Sequence, residues 1–261
     1  MIRVVNTVPS TGTFISTASI EAVEIVSTNA VECYSVCLYD EPEYKKLHPT
    51  RNFAQRYLQP FQEDVKKHLD RNNMALNIFC DEKSLDLALS LKTGSVYLVK
   101  QIALYPFFQH LYRYYSVFLD HPTIQTYHFR GMDNIICSDN AMSNLREFHA
   151  SGMDVLNMPY SRKYKESYCP IRGSCSVSRR GIASLRSFLK ENRFFPDMSD
   201  KRLVWHSDED FLTIWFNAIK NYLSIYTIID RELPMDFYLD LTTMIKASND
   251  FVIKRTTRGD I

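Results

Sequence analysis

Glycine is scarce. The chain has 7 in 261 residues and shows no Walker or dinucleotide glycine pattern, which excludes a phosphate loop made of backbone amides. Charge of one sign is lacking as well. Lys and Arg total 31 against 30 Asp and Glu, a net charge of +1, so bulk charge names no polyanionic partner. None of the cysteines (Cys33, Cys37, Cys80, Cys137, Cys169, Cys175) forms a CxxC pair, and no His follows at finger spacing. Structural zinc of the common kinds is thereby disfavoured, and a chain of this size has no need of disulfides. Long apolar runs are missing too. The most membrane-like stretch, Ile214 to Ile229, is interrupted by Asn217, Lys220 and Asn221 and reads as a packed helix with no transmembrane segment. The opening residues Met1 to Pro9 lack the apolar core of a signal peptide. A reduced, cytoplasmic protein is the expectation.

Aromatics are what the chain has in surplus: 16 Tyr and 16 Phe bring the aromatic share to 13%. Several short runs rich in β-branched and aromatic residues read as strands, namely Cys33 to Tyr39, Ala75 to Cys80, Ser95 to Val99 and Ile124 to Phe129. Between them lie helical patterns at Phe53 to Asp70, Ser84 to Leu91 and the aromatic Tyr105 to Leu119. Strand alternating with helix predicts an α/β domain with a mainly parallel sheet, whose ligands bind beyond the carboxyl ends of the strands. Further along, Ala141 to Ser151, Gly181 to Glu191, Asp208 to Ile228 and Met235 to Ala247 read as helices, with a polar loop at Pro159 to Ser178. The Thr- and Ser-rich first thirty residues carry a modest helical pattern. No linker rich in Pro, Gly or Ser divides the chain, so residues 1–261 are taken as one domain.

Neutral net charge hides local imbalance. Ile20 to Tyr44 holds six acids and no Lys or Arg, whereas Tyr160 to Arg202 holds eleven bases against four acids. Arg162, Lys163, Lys165, Arg172, Arg179 and Arg180 belong to that basic stretch, and Tyr160, Tyr164, Tyr168, Phe188, Phe194 and Phe195 are interleaved with it. Bases alternating with stacking faces suit phosphates and nucleic-acid bases, although a solvated surface gives the same pattern.

Three local features bear on chemistry. The strand ending at Phe129 runs into Arg130-Gly131-Met132-Asp133, a carboxylate and a cation at the carboxyl edge of the sheet. Eighteen residues before Gly131 stands Arg113, inside Tyr112-Arg113-Tyr114. Far downstream, Trp205-His206-Ser207-Asp208-Glu209-Asp210-Phe211-Leu212 opens an apolar helix with three acids. Acids in a first helical turn have a ready structural explanation in the helix dipole.

Taken in order, these features resemble a known family. The chain is similar to nucleotide-sugar glycosyltransferases of the A-type, Rossmann-related fold, and within them to the retaining glycogenin-like and lipooligosaccharide galactosyltransferase-like group. The matching stretches are Leu38-Tyr39-Asp40 and Cys80-Asp81 at strand ends, Tyr112-Arg113-Tyr114, Gly131-Met132-Asp133, Arg146-Glu147, and Asp208-Glu209-Asp210-Phe211-Leu212. The resemblance spans roughly residues 31 to 219. It implies one A-type domain with helices on both faces of the sheet and a helical C-terminal part. Residues 1–140 would bind the nucleotide sugar, and 141–261 would bind the acceptor.

The resemblance also implies roles. Leu38, Tyr39, Arg113, Arg130, Met132 and Asp133 would hold a UDP-sugar donor, with Asp133 binding Mn²⁺ or Mg²⁺ between its phosphates. Gly131 stands where the family has the first metal-binding Asp, so a weaker metal site is expected, with Arg113 and Arg130 taking up part of the charge neutralisation. Asp208, Glu209 and Asp210 would lie under the transferred sugar, and Glu209 occupies the place of the usual Gln. His206, Arg162, Lys163, Lys165, Arg172, Arg179 and Arg180 would meet the acceptor. Transferases that decorate hydroxymethylated cytosine in phage DNA fit this description, and the location would then be the host cytoplasm. A surface-glycan transferase and a non-catalytic nucleotide-sugar or nucleic-acid binding protein are the alternatives.

Overall fold

The structure is a computed structural model, and it describes residues 3–7, 18–39, 65–101, 106–132, 139–158, 160–162, 167–169, 174–191, 207–219, 222–230 and 251–256. The chain divides into two compact units, Met1–Ile124 with Phe129–Cys137, and Gln125–His128 with Ser138–Ile261. Each is a mixed α/β assembly.

The first unit is built on strands β1 (Arg3–Thr7), β2 (Ala18–Glu24), β3 (Glu32–Leu38), β4 (Ala75–Cys80) and β5 (Ser95–Gln101), in the order β1-β2-β5-β4-β3. β3, β4 and β5 run parallel, with Leu38 opposite Cys80 and Cys80 opposite Leu98, while β1 and β2 are antiparallel additions beside β5. The last six residues of β3 and the last five of β4 are buried, those facing either side of the sheet alike, and near-continuous apolar runs of this kind mark a sheet covered on both faces. Helices α1 (Lys66–Asn72) and α2 (Leu85–Ser90) accompany them.

The aromatic segment folds as a 3-10 helix, Pro106–Phe118. Thirteen residues is long for this helix type, which is commonly a single turn. Every residue from Leu111 to Leu119 is buried, so its rings serve as the core of the unit. Tyr114 meets Phe129 edge-on at 4.8 Å, Phe79 stacks on Tyr97 at 5.1 Å, and Tyr112 stacks on Tyr115 at 5.8 Å. Much of the aromatic surplus is thus structural, as the all-round apolar pattern implies.

The second unit holds β6 (Thr126–Phe129, except Phe129), β7 (Val155–Asn157), β10 (Ser176–Val177), β11 (Ile225–Asp230) and β12 (Phe251–Thr256), in the order β6-β10-β7-β11-β12. β8 (Tyr160–Arg162) and β9 (Ser167–Cys169) form a separate antiparallel ribbon. Its helices are α3 (Asp139–Ser151), α4 (Arg179–Glu191) and α5 (Ser207–Ile219). β7, β11 and β12 run parallel, and β10 runs antiparallel to both β6 and β7.

Three expectations are corrected here. The long helix read over Asp208 to Ile228 stops at Ile219, where the amides of Tyr222 and Leu223 both turn back to the Ile219 carbonyl at 2.9 and 3.0 Å. The β-branched run that follows becomes strand β11, as side chains stiff at χ1 favour. The stretch Pro159 to Ser178 is no simple loop, since it carries β8, β9 and β10. The first thirty residues contain β1 and β2 in place of helix, with Val4, Val5, Ile20 and Val23 supplying strand preference. The helix expected at Met235 to Ala247 and most of Phe53 to Asp70 lie outside the described residues.

Two of the few glycines stand where backbones come close. A Cβ on Gly94 would lie 2.6 Å from the Leu76 carbonyl oxygen, and one on Gly181 would lie 2.5 Å from that of Asp154. Both permit element packing and neither forms a phosphate loop.

Candidate functional site

The carboxyl ends of β3 and β4 come together by register. Because Leu38 pairs with Cys80, the residues that follow, Tyr39 and Asp81, leave the sheet side by side. Both are half-buried. Asp81 also serves the local structure, because its carboxylate accepts the Ser84 amide at 2.9 Å and caps the short 3-10 turn Glu82–Ser84.

Tyr112 belongs to this edge, although only its neighbour Arg113 was expected there. Burial pushes its phenol well above the ordinary tyrosine range, and the nearby Asp81 carboxylate and Cys37 thiol push it further. Those two neighbours place the phenol by the ends of β3 and β4. The Cys80 thiol is likewise pushed up to about 12 by burial, with Asp81 adding to the effect, so it is inert as a nucleophile. The sequence signal for Tyr112 was present in the Tyr112-Arg113-Tyr114 triplet, but spacing alone does not say which member faces the edge.

Arg113 and Arg130 meet at β3 through Ser35. The Ser35 hydroxyl donates to the Arg113 carbonyl and lies 2.7 Å from the Ser116 hydroxyl, while the Ser35 carbonyl accepts the Arg130 amide at 3.1 Å. Asn77 of β4 completes the network by donating to Ser116 at 3.1 Å. The Arg113 backbone is therefore fixed about 13 Å back from Tyr39, at roughly 3.3 Å per strand residue. Its guanidinium lies 5.3 Å from the centre of the Tyr114 ring and is 7% exposed. Arg130 is 0% exposed and donates to its neighbour's carbonyl, that of Phe129, at 2.7 Å. An interior guanidinium needs partners of this kind to offset the loss of water. Leu38 and Met132 are buried too, so any ligand at this edge would meet the Leu38 backbone and not its side chain.

Other predicted residues are placed as follows. Arg179 and Arg180 open α4 and are exposed, and Arg180 pairs with Asp154 at 3.3 Å and donates to the Tyr222 carbonyl at 3.1 Å. Asp208, Glu209 and Asp210 do open a helix, α5, as read, although their side chains are outside the description. Arg162 is on β8, its side chain likewise outside it. Asp133, Lys163, Lys165, Arg172 and His206 lie outside the described residues. Glu147 is exposed on α3 and engages Lys254 and Tyr226. His128 is 0% exposed, with Nδ1 2.8 Å from the Ser176 hydroxyl, an interior pair between strands. Among the described residues no group of three or more His, Cys, Asp or Glu could hold a metal, and no helix is long and apolar enough to cross a membrane.

No family model matches the chain, and no curated protein does. Among solved structures it is similar to the 4-diphosphocytidyl-2C-methyl-D-erythritol synthase of Anaerococcus prevotii, at 7% identity and a TM-score of 0.47 over 84% of this chain and 96% of that one. It is also similar to a CMP:2-keto-3-deoxy-manno-octonic acid synthetase complexed with CTP, at 10% identity and a TM-score of 0.43 over 84% and 99%. Likenesses at this level carry no argument about what this chain binds.

Proposed function

We propose that the chain is a glycosyltransferase that holds a nucleotide-sugar donor at the carboxyl edge of β3 and β4. The observation that carries this reading is that Tyr39 and Asp81 follow paired residues at the ends of the parallel strands β3 and β4, where open α/β sheets place their ligands. The order of the sequence motifs supports it. Arg113, buried against Tyr114, is the permanently charged group that the resemblance assigns to a diphosphate, and the acids of α5 are the groups proposed to face the sugar.

In the transfer, the bond from the anomeric carbon to the diphosphate oxygen breaks and its electron pair leaves with the nucleoside diphosphate. The acceptor hydroxyl forms the new bond and gives up its proton. Glu209 is proposed to stabilise the cationic sugar or to attack it. A divalent metal would rest on Asp133, and since no fuller ligand set is described, no step here is routed through one. Hydroxymethylated cytosine in DNA is the proposed acceptor, on the strength of the bases and aromatics between Tyr160 and Arg202. A surface glycan is the other acceptor to test.

The second reading, a binding protein without turnover, draws on Gly131 in the metal motif and on the burial of Arg130. Incubation with a panel of nucleotide sugars, with and without Mn²⁺, separates the two. Released nucleoside diphosphate and a mass increase on hydroxymethylated DNA are expected, and binding without release would overturn the transferase. Glu209→Gln should lower kcat more than about tenfold with little change in donor affinity. Unchanged turnover removes Glu209 from the reaction.

A further inference from the structure

The opposite ends of the same parallel strands border a cavity of 290 Å³ that the proposed transfer does not use. Its walls come from the starts of β3, β4 and β5, from the end of α1, from the segment after β2 and from the loop at His121, all in the first unit. The volume is about twenty times the ~15 Å³ that a single water requires. It stands at the lower edge of the roughly 300–1,000 Å³ of ligand pockets, a size suited to one small ring more than to a nucleotide.

The lining has a distinct chemistry. Thr28, Asn73, Ser95 and His121 supply hydroxyl, amide and imidazole groups, whereas the Asn77 amide is committed to Ser116. Leu69, Leu76 and Ile124 supply an apolar face, and among the described residues of the lining Asp70 is the one charged side chain, with no Lys or Arg. His121 is held by the Tyr97 hydroxyl, 3.2 Å from its Nε2. Burial lowers its pKa below the ordinary value, against a weaker opposing effect of Asp120, so the ring is neutral near pH 7. The Thr28 hydroxyl accepts the Ala30 amide at 3.0 Å and keeps its proton to donate.

We infer that this cavity is a binding site for a small uncharged polyol of monosaccharide size, separate from the carboxyl-edge site. Groups that both donate and accept match sugar hydroxyls, and the apolar face matches the C–H side of a sugar ring. A phosphate or carboxylate would meet the like charge of Asp70, with no cation among the described lining residues to offset it. The inference goes beyond the transferase reading and does not depend on it.

Titration calorimetry and ligand-detected NMR on the full chain test it, with D-glucose, D-galactose, D-ribose and myo-inositol as neutral probes and glucose 6-phosphate as the anionic one. At least one neutral probe should bind saturably below about 10 mM, with glucose 6-phosphate at least about tenfold weaker than glucose. Saturating UDP should leave that binding unchanged. Thr28→Val, which keeps shape and removes the hydroxyl, should weaken it about fivefold. Ala75→Phe, which puts a ring into the lining, should abolish it. No saturable binding by any neutral probe, tighter binding of the phosphate, displacement by UDP, or unchanged affinity in both variants would each overturn the inference.

Discussion

Two polar clusters, one in each unit, are tied together by different means. In the first, the network around Ser35 joins hydroxyls, an amide and backbone carbonyls from β3, β4 and the 3-10 helix without a carboxylate. In the second, carboxylates do the joining. Asp154, just before β7, accepts the Ser224 amide at 2.9 Å and hydroxyl at 3.0 Å, and meets Arg180 of α4 at 3.3 Å. Glu147 links α3 to β11 and β12 through Tyr226 and Lys254. A neutral network adds rigidity that does not vary with acid, whereas a carboxylate ties several elements more strongly and makes them pH-sensitive.

Breaking Asp154 should have the largest effect. Its side chain is 3% exposed, and Asp154→Ala strips the Ser224 amide and hydroxyl of a charged acceptor. A loss of about 2–3 kcal/mol is expected, read as a lower midpoint of urea unfolding. Arg180 is 69% exposed and is rehydrated on losing its partner, so Arg180→Ala should cost far less. Equal losses in the two variants would mean that the ion pair, and not the hydrogen bonds to Ser224, holds the node.

Ser35→Ala probes the neutral counterpart. It leaves the Arg113 carbonyl and the Ser116 hydroxyl with one partner fewer in an interior site. About 1–2 kcal/mol should be lost, by the same amount at pH 5 and pH 8, since no group in the network titrates in that range. A loss that changes across that range would show that the network is coupled to a charge.

The same contrast explains what the amino-acid sequence discloses. Strands β3, β4 and β5 are legible because burial on both faces demands unbroken apolar runs, and Cys33 to Tyr39 and Ala75 to Cys80 fall within a residue of the observed bounds. The turn at Tyr222 to Ser224 is not, because Ile214 to Ile229 is mostly apolar on both sides of it and periodicity alone cannot separate a helix from a following strand. Tyr39 and Asp81 can be nominated from strand ends. Tyr112, Ser35 and Asn77 cannot, since the groups they meet are 31 to 81 residues away in sequence. Asp154 has no motif at all: what makes it a node is the return of the chain at Ser224, 70 residues later.

Glu147 should give the smallest effect, and the one that varies with pH. The hydrogen bond from Lys254 holds its carboxyl below the ordinary glutamate value, with Tyr226 helping and burial opposing. A carboxyl with a depressed folded pKa contributes stability that is fully present above its unfolded value, and that contribution is lost as pH falls through the folded value. Glu147 and Lys254 side chains are 46% and 33% exposed, so water and salt screen the pair, and Glu147→Gln should cost no more than about 0.5 kcal/mol at pH 7. The difference from the parent chain should vanish below the carboxylate range and shrink at pH 7 in 1 M salt, with Debye screening down to about 3 Å. Thermal unfolding of both chains across pH 3 to 7 measures it. A difference that persists undiminished at pH 3 would show that the charge on Glu147 does not carry the stabilisation, and would place Glu147 with the neutral ties of the first unit.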